Sequence, residues 1–177
     1  MWEGLHVIAD SPPLGDIPLA AVLVPLYEDA AGDMRVVLTK RPDTMPTHAG
    51  HISFPGGRPH PTDSGPIDTA LREAYEEVGI PADDVKVLGF LPAIHTVEFS
   101  LLVVPVVGRL RGVPALVPSE REVAMVLEPR LADLAEPDRW RSELWQGRPV
   151  WFYDLDGEIL WGATARMMRQ LLGLPDD

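Results

Sequence analysis

The sequence predicts an α/β fold with a mixed β-sheet. Three observations carry that prediction: short β-rich runs lie both before and after one long amphipathic segment, one of the later runs is apolar almost throughout, and a second amphipathic segment closes the chain. With 177 residues, 46% apolar and 24% charged, the chain matches one domain over residues 1–177. A chain of that length buries about 70% of its unfolded surface around a core.

Residues 19–26 and 34–40 are the first β-rich runs, and the polar, glycine-containing stretch 28–33 between them makes the pair a hairpin. A short strand at 51–54 enters Pro55-Gly56-Gly57, and the polar segment 58–65 is a loop. The period changes after that. Ile67, Ala70, Leu71, Ala74 and Val78 recur at helical spacing, Pro66 suits the first helical position, and Gly79 suits the left-handed residue that ends a helix. Residues 85–91 and 99–110 read as strands, the second apolar enough to be buried on both faces. A strand at 123–127, a short helix at 129–134, a hairpin of 140–145 with 150–155 around Gln146-Gly147, and an amphipathic helix at 160–172 complete the chain.

Fifteen basic residues against 27 acidic ones give a net charge of −12. Nucleic acid and anionic membrane are disfavoured as partners, because both need a clustered excess of Lys and Arg. The absence of cysteine excludes disulfides, thiolate zinc sites and a cysteine nucleophile. The apolar stretch 17–27 is interrupted by Pro18 and Pro25, is too short to span a bilayer, and follows an acidic leader with no basic region. No signal peptide is read there, and a cytoplasmic protein is expected. Four tryptophans after residue 139 and the long apolar strands are compatible with a homodimer.

The central helix carries the chemistry. At about 100° per residue, Glu76 and Glu77 lie about −60° and +40° from Glu73, so the three carboxylates share one face, away from the apolar one. Like charges at this spacing destabilise a helix unless a cation joins them. Mg²⁺ or Mn²⁺ fits, since both take oxygen ligands and bridge carboxylates to substrate phosphates. Arg72 stands where it can hold the Glu73 carboxylate, and Gly56-Gly57 permits close approach of a metal or phosphate to bare backbone.

The run Arg72-Glu73-Ala74-Tyr75-Glu76-Glu77-Val78-Gly79-Ile80 resembles the second half of the signature of the Nudix hydrolase family, and every specified position is met. In the first half, Asp63 stands where the family has Glu, and the segment from there to Arg72 is one residue longer than the general form. Both departures resemble the coenzyme A pyrophosphatase branch of that family. Leu38-Thr39, Arg41, Gly50 and Phe54-Pro55-Gly56-Gly57 are similar to the upstream motif of the branch, with His48 where its members often carry histidine. Leu160-Trp161-Gly162-Ala163-Thr164-Ala165 is similar to its C-terminal run. Pro46 and Pro42 stand where the upstream motif has arginine and serine or alanine.

The resemblance implies an α/β/α sandwich with a catalytic loop-helix-loop. It implies hydrolysis of a diphosphate linkage in a nucleoside diphosphate derivative, coenzyme A or acyl-CoA first, giving 3′,5′-ADP and 4′-phosphopantetheine. Glu73, Glu76 and Glu77 are then the metal ligands for Mg²⁺ or Mn²⁺, with the Gly57 carbonyl as an extra one, and Arg72 orients Glu73. A distal carboxylate completes such sites or serves as the base: Glu122 is the first candidate, with Glu98 and Glu120 behind it. Arg41, His48, Gly56 and Gly57 are the candidate substrate contacts, His51 ranks behind His48, and residues 95–98 are candidates to line the cleft. Three other readings remain open: a Nudix hydrolase of ADP-ribose or another nucleotide, a Nudix-fold module that binds a nucleotide without hydrolysing it, and, last, a structural acidic protein with no ligand.

Overall fold

The structure, a computed structural model, describes residues 2–14, 19–96 and 100–176. Among them the first half of the chain forms β1 (Leu19–Glu28), β2 (Met34–Val36), β3 (Leu38–Lys40), β4 (Ile52–Ser53), β5 (Gly56–Gly57) and the helix α1 (Pro66–Val78). The second half forms β6 (Val85–Phe90), β7 (Ile94–Thr96), β8 (Leu101–Leu110), β9 (Met125–Leu127), α2 (Leu131–Leu134), β10 (Trp140–Trp145), β11 (Arg148–Leu155), β12 (Glu158–Trp161) and α3 (Gly162–Leu171). None of the helices is long and apolar enough to cross a membrane.

β1 and β8 are apolar on both sides because both sides are covered. They pair in parallel from Leu19 opposite Leu102 to Leu26 opposite Arg109, while β2, β5, β6 and β7 join them antiparallel, so the main sheet is mixed. On one face Ala21, Leu23, Val104 and Val106 pack with Ala70, Ala74 and Val78 of α1. On the other, Val24, Leu26, Val103 and Val107 belong to the cluster with Leu131, Leu134, Trp140, Leu160, Met168 and Leu171, which come from α2, α3 and the sheet β10-β11-β12. The result is the expected layered α/β architecture. A smaller sheet, β4-β3-β9, lies beside the main one.

Several boundaries shift by two residues or more from the sequence expectation, and three of the shifts have a local reason that the backbone hydrogen bonds and turns show. Residues 34–40 form two strands in different sheets. Val37 N–H donates to Pro25 O at 3.0 Å, but Pro25 has no N–H to return, so the ladder with β1 stops and the chain passes to the small sheet. The helix expected at 160–172 starts at Gly162, because Asp156 and Gly157, both at positive φ, turn β11 into β12, and Leu160 and Trp161 finish that strand. β9 begins at Met125 rather than 123, since Val123 N–H is taken by Ser119 O in a turn. The expected start of β8 at Phe99 lies outside the described residues.

Candidate active site

α1 spans Pro66–Val78 as expected, with Pro66 in its first turn and Gly79 in the left-handed conformation at φ 72°, its N–H donating to Tyr75 O at 2.9 Å. Thr69, Ala70, Ala74 and Val78 are buried on the inner face. The helix therefore turns Glu73 and Glu77 toward the edge of the sheet and Glu76 outward.

Gly56 and Gly57 pair with Val22 and Ala21 of β1. A side chain at Gly56 would run into the backbone of Ala21 and Val22, and one at Gly57 would stand 2.7 Å from Cδ and Oε1 of Glu73. The two glycines are thus required for different reasons: the first by the strand alongside, the second by the carboxylate laid on it.

Arg72 is the hub of the loop ahead of the helix. Its Nε donates to both oxygens of Asp63 at 3.1 and 3.2 Å, its Nη2 to Asp63 Oδ2 and Arg58 O at 3.0 Å each, and its Nη1 to Glu73 Oε1 at 3.1 Å and to both Glu76 oxygens at 3.2 Å. Asp63 also accepts from His60 N–H and Thr69 Oγ1, which with Arg72 holds its carboxyl far below the ordinary carboxylate range. Sequence reasoning placed Arg72 on Glu73 but missed that Asp63 is its main partner. The signal was present in the family's carboxylate position being filled by the shorter Asp.

Glu122 comes to the site through backbone ties that no local pattern announces. Val117 N–H donates to Val78 O and Ser119 N–H to Glu77 O, at 2.9 and 2.8 Å, and fasten the loop to the last turn of α1. The carboxylates of Glu73, Glu77 and Glu122 then share one field. Burial first, and then the charges of Glu73 and Glu122, push Glu77 up to about 8 against a hydrogen bond from Gly56 N–H and the charge of Arg41. Glu73 is also raised, by burial before all else, with Arg72 opposing and Glu76 and Glu122 adding to it. Desolvated carboxylates crowded with like charge are unfavourable unless a cation joins them, which makes this cluster a candidate metal site. The donor set is all oxygen, which suits a hard divalent ion.

Arg41 follows β3. Its backbone pairs with His51 and Gly50, its Nε donates to Thr47 O at 3.3 Å, and its charge reaches Glu77. His48, at φ 51°, sets its ring edge-on to His51 with centroids 5.2 Å apart, His51 meets Trp161 edge-on at 5.0 Å, and Trp161 stacks with Phe152 at 6.3 Å. An aromatic row thus runs from the Arg41 loop onto the second sheet. Of the other candidates, Glu120 and His95 are exposed, and Glu98 lies outside the described residues. Among the described residues no three His, Asp or Glu side chains stand in a closed metal-ligand arrangement, and Arg72 covers Glu76 and one oxygen of Glu73.

A carboxylate-bearing loop-helix-loop fastened to a mixed sheet by a diglycine strand is the Nudix fold. Residues 17–151 match the NUDIX domain, and the chain belongs to the Nudix family. It is 39% identical over 159 residues to Nudix hydrolase 22, chloroplastic, of Arabidopsis thaliana, a match that covers 84% of this chain and 52% of that protein, so the chain spans about half the length of that relative. It is 37% identical over 156 residues to the uncharacterized Nudix hydrolase NudL of Photorhabdus laumondii, with 86% and 82% covered. Among solved structures, a NUDIX hydrolase from Alicyclobacillus acidocaldarius matches with a TM-score of 0.59 at 18% identity, covering 93% of this chain and 95% of that one. That likeness is one of fold.

Proposed function

We propose that this chain is a divalent-metal-dependent hydrolase of a diphosphate linkage in a nucleoside diphosphate derivative, with coenzyme A or its thioesters as substrate and 3′,5′-ADP and 4′-phosphopantetheine as products. The observation that carries the reading is the pair of desolvated carboxylates Glu73 and Glu77, with the charge of Glu122 acting on both, beside bare glycine backbone and with Arg41 opposing at Glu77. Glu73 and Glu77 are the inner pair of ligands, with Glu76 and the Gly57 carbonyl as further ones. Bound Mg²⁺ or Mn²⁺ supplies Lewis-acid polarisation of a phosphoryl oxygen and lowers the pKa of water, contributions of about several kcal/mol.

The chain's own groups do the rest. Arg72, anchored on Asp63, keeps one Glu73 oxygen in place and leaves the other to turn inward. Arg41 offsets the negative field at Glu77, and in a chain of net charge −12 such a local cation is needed to admit an anionic diphosphate. Glu122 accepts the proton of the attacking water, and the P–O–P bond breaks as the new P–O bond forms. The upstream motif's arginine is replaced by Pro46, which leaves Arg41 as the cation of that loop that reaches the carboxylates and keeps ADP-ribose as the second substrate reading.

Incubation with coenzyme A, ADP-ribose and a dinucleoside polyphosphate in Mn²⁺, with masses of the products, tests the proposal. Coenzyme A converted to 3′,5′-ADP and 4′-phosphopantetheine supports it. Coenzyme A left intact while ADP-ribose is consumed overturns the substrate, and no turnover of any of them favours a binding module.

A further inference from the structure

We propose that the outer edge of β10 is a homodimer seam, on which two copies of this chain pair antiparallel about a two-fold axis through Ser142, with Arg141 of each copy opposite Glu143 of the other. The hairpin fixes which groups the edge offers. Gln146 and Gly147, both at positive φ, form the two-residue turn in which the flanking pair, Trp145 and Arg148, exchange hydrogen bonds. The alternation then sends the backbone groups of Trp145, Glu143 and Arg141 inward to β11, and those of Leu144 and Ser142 and the carbonyl of Trp140 outward. Trp140 N–H is already given to Pro137 O. β10 is the last strand of its sheet, so among the described residues nothing pairs with that edge.

Edge strands in folded proteins are commonly blunted by charged side chains, lysine above all, or by proline, a bulge or a cover. β10 has no lysine, proline or bulge, and its two charges, Arg141 and Glu143, are of opposite sign: its sequence is Trp140-Arg141-Ser142-Glu143-Leu144-Trp145, it pairs with β11 without a register shift, and every residue after Trp140 is exposed, Leu144 at 79% and Trp145 at 59%. Arg141 lies over the Phe152 ring, 5.3 Å from its centroid, and Glu143 makes no ion pair among the described residues.

The register of self-pairing follows from charge. Only registers with the axis on a residue let outward groups meet outward groups. An axis at Glu143 sets the two Glu143 side chains face to face, which is repulsive. An axis at Ser142 pairs Ser142 with Ser142 by reciprocal N–H to O bonds, sends Leu144 N–H to the opposite Trp140 O, and places Arg141 and Glu143 at a non-hydrogen-bonded pair, where cross-strand side chains stand closest. Leu144 then stands opposite Trp140 of the other copy in the ladder. The edge is self-complementary.

Sedimentation equilibrium over a concentration series, with turnover of the wild-type substrate as the check on folding, tests the seam. The wild-type chain is expected to pass from 19.5 kDa to twice that mass. Arg141→Glu and Glu143→Arg each bring like charges together at every contact and should weaken self-association by at least about tenfold. Mixed in equal amounts they should form the heterodimer, because one strand is then acidic and the other basic. A wild-type chain that stays monomeric, single variants that dimerise as the wild type does, or a mixture that stays monomeric while the wild type dimerises, each overturn the proposal.

Discussion

The carboxylate of Glu73 lies directly on the backbone of Gly57, so close that a Cβ on residue 57 would stand 2.7 Å from Cδ and Oε1. The strand and the helix are locked together through the absence of one carbon. Gly57→Ala must push Glu73 out of the group it forms with Glu77. The expected result is a fall in kcat/KM of about 10²-fold with little loss of fold, as displacement of a positioned group by about 1 Å produces. Metal-dependent turnover of the variant against its thermal melting separates the two effects.

Asp63 should prove essential to Arg72 rather than to the metal. In Asp63→Asn the guanidinium loses its charged partner and settles on Glu73 and Glu76, neutralising them. A lower melting temperature and a loss of activity of about tenfold are expected, partly restored by higher Mn²⁺. The depressed carboxyl of Asp63 contributes stability above its unfolded value of 3.8 that is lost as pH falls through the folded value, so the melting difference between wild type and variant should shrink in acid.

Glu77 works in the opposite direction. Its folded carboxyl is raised from 4.5 to about 8, so its contribution to stability is fully present below pH 4.5 and is lost as pH rises toward 8. In chelator, Glu77→Gln should therefore melt higher than the wild type above pH 8, by about 1–2 kcal/mol once the remaining contact of the carboxyl with water is allowed for. Below pH 4.5 the two should coincide. A wild type as stable at pH 8 as the variant would show that the carboxyl is not strained without metal.

Glu122 is assigned the proton from water. Glu122→Gln should lower kcat by about 10²- to 10³-fold while leaving KM near the wild-type value. An equal fall in affinity for Mn²⁺ would make it a ligand instead.

The features legible in the sequence are those set by neighbours along the chain. α1 announces itself by Pro66, its apolar period and Gly79, and the structure returns the same bounds. The apolar run that became β8 is buried along most of its length because it sits in the middle of the sheet. β12 was hidden because Leu160 and Trp161 continue the apolar pattern of α3, although Asp156-Gly157 is a recognisable two-residue turn. The split at Val37 depends on Pro25, a residue on another strand. Within the site, Glu73, Glu76 and Glu77 follow from helical spacing, whereas the approach of Glu122 depends on hydrogen bonds from Val117 and Ser119 to the end of α1, contacts across some forty residues of chain (from 78 to 117) that carry no periodic signal. The C-terminal tryptophans divide: Trp140 is buried in the core, while Trp161 joins the row leading from His51.

If the carboxylates of α1 hold a metal ion for hydrolysis of a diphosphate, Glu77, the most deeply buried of them, is the one the reaction can least do without. Turnover of coenzyme A by wild type and Glu77→Gln across an Mn²⁺ titration tests this most directly. Metal-dependent release of 3′,5′-ADP by the wild type, reduced by about 10³-fold or more in the variant at every Mn²⁺ concentration, is the predicted result. Turnover that persists in Glu77→Gln, or that proceeds equally well in chelator, would contradict it.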